Sequence, residues 1–206
     1  MRKECQYISV HPENPQPRLL KQVVEILEKG GVIAYPTESG YALGCLFDNN
    51  EGAKRIRAIR RLDEDHELTL MCRDLSNLSE YAKVGNSAFR YLKNYLPGPY
   101  TFILTASKEV PRRIQCPKRK TIGLRVTPNE VTNELLSYFD KPLLTSTLIM
   151  PGEDHPMTDG WTIREELCHA LDGVLDGGYS GFEPTTIIDF TDEEPVLVRQ
   201  GQGEFQ

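Results

Sequence analysis

The chain has 206 residues, 39 % hydrophobic and 26 % charged, a balance that excludes disorder and fibrous repeats and suits one domain burying about two-thirds of its unfolded surface. No run approaches the roughly 18 apolar residues of a membrane span, and Met1-Arg2-Lys3-Glu4 lacks the apolar stretch of a secretory signal, so a cytoplasmic location with no membrane partner is expected. The net charge of −6 is uneven: from Glu153 to Glu194 twelve acids meet one base, Arg164, which leaves +5 on the rest of the chain and a local capacity for polyanions.

The first predicted helix runs from Arg18 to Lys29, with Leu19, Leu20, Val23, Val24, Ile26 and Leu27 on one face and Gly30-Gly31 as its stop. Val32 to Tyr35 reads as a short buried strand that Pro36 ends in a turn. A helix is expected over Glu51 to Arg61, then a strand near Leu68 to Cys72 and a short helix from Asp74. Asn86 is the expected cap of a helix that reaches Tyr95 and stops at Pro97-Gly98-Pro99. Strands follow at Thr101 to Thr105 and Ile122 to Val126, a helix at Glu130 to Phe139, and strands at Leu143-Leu144, Val174-Leu175, Thr186 to Asp189 and Val196 to Val198. Pro151 to Gly160 reads as one long loop. Alternating strands and helices without a linker define a single α/β (α+β) domain spanning residues 1–206.

The five cysteines are scattered without a C-x-x-C pair and read as reduced packing thiols. The four histidines show no metal-ligand spacing, so no resident metal is expected. Lys54, Arg55, Arg57, Arg60 and Arg61 form one basic run, balanced nearby by Asp63, Glu64, Asp65 and Glu67. Arg112, Arg113, Lys118, Arg119 and Lys120 form a second. Thr37 and Ser39 follow a buried strand, where α/β sheets collect ligands. They either donate together to one anionic oxygen or close a turn on their own backbone. Arg125 either grips a carboxylate with its planar fork or pairs with an acid of the chain.

Five segments, Gly30 to Cys45, Pro97 to Leu104, Ile122-Gly-Leu-Arg125-Val, Thr185-Thr186-Ile-Ile-Asp189 and Val198-Arg199-Gln-Gly201, occur in an order that resembles the YrdC/Sua5/YciO family over about residues 18–203. The resemblance implies the YrdC/RibB-like fold: a twisted mixed sheet with flanking helices around a deep, positively charged cavity. It implies binding of nucleotide and of structured RNA, double-stranded or transfer. In the synthase branches it implies formation of threonylcarbamoyl-AMP and pyrophosphate from threonine, bicarbonate and ATP, which feeds tRNA modification. No tightly bound cofactor follows from it, and ATP with Mg²⁺ enters as substrate.

By the same resemblance Arg60 and Ser146 match catalytic positions, and Arg60, Ser146 and Arg199 match nucleotide contacts. Thr37, Arg125 and Thr186 match contacts to threonine or a related small acid. The synthase K-x-R and S-x-N triplets read Arg60-Arg61-Leu62 and Ser146-Thr147-Leu148 here, a combination that resembles the YciO branch. Two polar anchors have become apolar, so synthase-like adenylyl transfer is expected to be weak or altered. The alternative is a non-catalytic RNA-binding protein on the same scaffold, with Arg112, Arg113, Lys118, Arg119 and Lys120 as its phosphate contacts.

Overall fold

The structure, a computed structural model, describes residues 4–63 and 66–206, so Glu64 and Asp65 of the acidic run lie outside the described residues. Among the described residues ten strands build one mixed sheet: β1 (Gln6–Ser9), β2 (Ile33–Thr37), β3 (Gly40–Leu46), β4 (Thr69–Met71), β5 (Tyr100–Thr105), β6 (Thr121–Arg125), β7 (Leu143–Thr147), β8 (Gly173–Asp176), β9 (Thr186–Asp189) and β10 (Val196–Arg199). Their spatial order is β1-β8-β2-β3-β7-β4-β6-β5-β9-β10. Six helices flank it: α1 (Pro17–Glu28), α2 (Asn50–Arg60), α3 (Leu75–Tyr81), α4 (Asn86–Tyr95), α5 (Glu130–Leu136) and α6 (Gly160–Leu167).

Strand alternation sends side chains to two cores. Along β2, Ala34 and the preceding Val32 join the larger one while Ile33 and Tyr35 join the smaller. The smaller core receives Leu20, Val23, Ile26 and Leu27 of α1 and Val131 and Leu135 of α5, each apolar side chain contributing about 2 kcal/mol of burial. The larger takes Ala53 and Ile56 of α2, Leu78 of α3, Leu92 of α4 and Ile163 of α6. Over β4, β6 and β5 the face opposite Leu70, Leu124 and Phe102 carries Thr69, Gly123, Thr101 and Ile103. Hydroxyls and a missing side chain there leave the sheet open rather than packed.

Several expectations change. β2 does not stop at Pro36 but continues to Thr37, pairing Pro36 with Tyr41 of β3. The proline is tolerated because β8, on the other side of β2, pairs only with Ile33 and Ala34, so the absent N–H interrupts no ladder. The segment after Pro36, read from sequence as a ligand loop, is therefore a hairpin whose return strand is β3. Gly85, not Asn86, caps α4. Strand β1 and helix α6 had no counterpart in the sequence reading.

Cys5 and Cys168 form a disulfide, which corrects the reading of five reduced thiols. Parallel pairing of β1 with β8 carries Cys5 to the end of α6, and spacing along the chain holds no trace of that meeting. Cys45 and Cys72 remain buried thiols, and burial pushes the Cys45 thiol up to about 12.

Candidate functional site

Strands β4 to β7 and β9 to β10 meet the end of α2 around a cavity of about 240 Å³, bounded by Arg60, His66, Glu67, Thr101, Ser146, Thr185 and Arg199 among others. Gly123 forms part of its floor, where a Cβ would lie 2.9 Å from Thr69 Oγ1. The capacity suits phosphate groups or a small acid, and a whole nucleotide would extend past the mouth.

Local sequence places Arg60. Asn49 caps α2 by accepting from the Gly52 N–H at 2.9 Å, and the helix ends at Arg61 in the left-handed region, with φ of 52°. The last helical residue thereby turns its guanidinium to β7. Arg60 Nη1 donates to Ser146 Oγ at 2.7 Å and Nε donates to the Ile149 carbonyl at 3.0 Å. On the opposite wall Arg199 Nη2 donates to the Thr185 carbonyl at 2.8 Å. Both cations thus rest on neutral oxygens. Burial lowers the pKa of Arg60, with Arg199 adding to it; burial and then Arg125 do the same to Arg199. Three guanidinium groups stand in a chain, Arg60, Arg199 and Arg125, and an anion between the first two would relieve their repulsion.

The third guanidinium is already neutralised. Arg125 is 2 % exposed, and its Nη2 donates to Glu38 Oε1 at 2.7 Å. Thr127 donates to the other Glu38 oxygen, and Ser39 Oγ donates to Oε1 at 3.3 Å. Arg125 Nε is buried without a partner. Thr37 Oγ1 accepts from the Ser39 N–H and donates to the Gly40 carbonyl at 2.7 Å, closing the turn between β2 and β3. Of the alternatives open in the sequence, the structure has the turn for Thr37 and the internal ion pair for Arg125. Thr186 Oγ1 donates to the Gly203 carbonyl and accepts from the Gly201 N–H at 3.0 Å, which fastens the C-terminal turn.

Arg60, Ser146 and Arg199 therefore line the cavity, whereas Thr37, Arg125 and Thr186 do not: the two threonine hydroxyls are bonded inside the protein, and Arg125 pairs with Glu38 through Nη2 while its Nε keeps no partner. Thr185 lines the space in place of its neighbour, and its hydroxyl shares a 2.7 Å hydrogen bond with that of Thr101. His66 and Glu67, which no sequence signal marked as cavity residues, also line it; Glu67 accepts from the Thr121 hydroxyl. Leu148 is fully buried and Leu62 packs against the larger core, so neither apolar substitute borders the space.

The second basic run is exposed. Arg112 and Arg113 begin a 3₁₀ turn, Arg112–Ile114, and Lys118, Arg119 and Lys120 lie at the surface. Arg119 pairs with Asp189 at 2.5 Å. Tyr91 stacks on Tyr95 at 4.5 Å and on Phe190 at 5.3 Å, and Tyr95 meets Tyr100 edge-on, so these rings pack on one another. No helix among the described residues is long and apolar enough to cross a membrane.

A mixed α/β sheet with a hollow lined by Arg60 and Arg199 at the junction of its strands defines a domain of the YrdC fold. The family model described as Sua5/YciO/YrdC, telomere recombination, matches residues 25–201, and the chain belongs to that family. An uncharacterised protein of Haemophilus influenzae is 54 % identical over 96 % of each chain. The uncharacterised protein YciO of Escherichia coli is 51 % identical over 97 % of each. A threonylcarbamoyl-AMP synthase of Vibrio vulnificus is 30 % identical over 88 % of this chain and 98 % of its own. The E. coli YciO crystal structure superposes with a TM-score of 0.94 at 50 % identity, covering 97 % of each chain. P. abyssi Sua5 complexed with L-threonine gives 0.85 at 26 % identity, covering 95 % of this chain and 57 % of that one.

Proposed function

We propose that the protein is a YciO-type nucleotide binder in which the phosphates of ATP, with their Mg²⁺, lie against Arg60, Ser146 and Arg199. A threonine-like small acid would share the cavity. The carrying observation is the pair of guanidinium groups that face one hollow and, among the described residues, donate to neutral oxygens. Such cations attract a developing or resident phosphate charge more strongly in a partly dry site than in water.

Synthase-like chemistry is weak or altered in this reading. Leu62 and Leu148 supply no donor where the synthase triplets carry a cation and an amide, and each missing charge-assisted contact costs about 2–5 kcal/mol of phosphate or transition-state stabilisation. A pyrophosphate-release assay with ATP, bicarbonate and a panel of amino acids tests turnover and substrate class together. The expected result is saturable ATP binding with slow pyrophosphate release. Absence of ATP binding would overturn the assignment.

The exposed run at Arg112, Arg113, Lys118, Arg119 and Lys120 favours a second reading, binding of structured or transfer RNA through phosphates without turnover. The Arg119–Asp189 pair reduces the charge on offer. RNA affinity falling steeply with salt, and lost when the run is neutralised, is its signature; salt-insensitive or absent binding would remove it.

A further inference from the structure

The segment between α2 and β4 brings a histidine to the cavity that the assignment above does not use. Its backbone is held from α2: Arg57 Nη1 donates to the Asp63 and His66 carbonyls, each at 2.8 Å, and the His66 N–H donates to the Asp63 carbonyl at 3.1 Å. His66, although open to solvent on one side, lines the cavity together with Arg60, Ser146 and Arg199. We propose that His66 is the third anion ligand of this cavity, one whose contribution depends on its proton, so that the site takes a multiply charged oxyanion and binds a proton with it.

The argument is one of linkage. The groups around the imidazole are Arg57 and Arg60 from α2, Arg199 from β10, and Asp63 and Glu67 from its own segment; Glu64 and Asp65 lie outside the described residues. Burial, then Arg60 and Arg57, with Arg199 adding, hold its pKa below 6.5 despite Asp63. Without an anion the neighbouring cations disfavour the proton on the imidazole. An oxyanion between Arg60 and Arg199 offsets the field that suppresses the proton, and the pKa of His66 rises. By reciprocity the factor by which the anion tightens the proton is the factor by which the proton tightens the anion. Affinity then grows as pH falls through the bound-state pKa and levels off below the free-state pKa. This inference rests on the anion-binding reading of the same cavity.

Sulfate is the probe, because it stays a dianion throughout the range and contributes no titration of its own. Its affinity for the whole protein is measured by calorimetry from about pH 8 to about pH 5.5, bracketing the ordinary histidine range. A rise of about tenfold is expected, corresponding to a bound-state shift of about one pKa unit. The His66 ring resonance should titrate at higher pH with sulfate than without. His66→Asn should remove the pH-dependent increment, and His169→Asn, outside the cavity lining, should keep it. Sulfate binding that is flat with pH, or an increment that survives His66→Asn, overturns the role of His66 and leaves the anion site standing. No sulfate binding at any pH overturns both.

Discussion

Arg60→Ala is the most informative single change. It removes one of the two cations that face the cavity and the hydrogen bonds of 2.7 Å to Ser146 Oγ and 3.0 Å to the Ile149 carbonyl. A hydrogen bond from a charged donor to a phosphate is worth about 1.5–3 kcal/mol, so ATP or pyrophosphate should bind about 10- to 100-fold more weakly. The fold should suffer much less. Each lost bond to a neutral oxygen costs about 1 kcal/mol, partly offset by relief of the repulsion from Arg199. Because Arg60 is the leading cation that depresses His66, the same substitution should raise the pKa of that histidine. Calorimetric titration with ATP reads the first effect, thermal unfolding the second and ring-proton NMR the third. Unchanged ATP affinity together with an unmoved His66 titration would refute the geometry on which the site is built.

Glu38→Ala strands the buried Arg125 guanidinium, and removing one partner of such a pair costs about 3–5 kcal/mol; a large fall in Tm is expected, and a Tm near wild type would mean that Arg125 is solvated rather than paired. Leu148→Asn places an amide at a fully buried position and should destabilise by about 2–4 kcal/mol, measured by urea unfolding, so restoring the S-x-N amide alone should not restore pyrophosphate release. The Cys5–Cys168 bond spans 163 residues, and chain-entropy reasoning gives it about 4–5 kcal/mol; adding reductant should lower Tm by several degrees, and identical melts with and without reductant would contradict the link. For Asp189, burial raises the pKa but is outweighed by hydrogen bonds from Thr191 and Arg119, leaving it depressed. Its stabilisation is therefore present above the ordinary carboxylate pKa and lost as pH falls through the depressed value. Asp189→Asn should destabilise at neutral pH and converge with wild type in strong acid, and a deficit that persists in acid would exclude the ionic contribution.

Much of the scaffold was legible because local patterns carry it. The amphipathic spacing of α1, the helix start at Asp74, and the β-rich runs Thr101 to Thr105 and Ile122 to Val126 each place an element. In the structure their alternation separates a packed face from one bearing hydroxyls, Gly123 and Arg125. The order of the ten strands was not legible, since pairings such as β1 with β8, β3 with β7 and β5 with β9 join segments far apart in sequence. For the same reason the Cys5–Cys168 bond and the meeting of Arg60 with Arg199 required the fold.

The candidate site divided along a similar line. Resemblance supplied Arg60, Ser146 and Arg199, which line one cavity, and also Arg125, which lies outside that lining with one guanidinium nitrogen on Glu38 of the adjacent hairpin. Sequence gives the existence of a cation and not the identity of its partner. Thr185 and Thr186 show how one position decides a role: the first lines the cavity and the second fastens the C-terminal turn. His66 lay in an acid-rich connection without periodicity, so only the path of the chain from α2 to β4 revealed it.

The most direct test of the cavity's role is a crystal structure of the protein grown with a non-hydrolysable ATP analogue and Mg²⁺. The account predicts a phosphate within hydrogen-bonding distance of Arg60, Ser146 and Arg199. A fully occupied analogue whose phosphates lie elsewhere, with those three side chains still bonded only to protein, would contradict it.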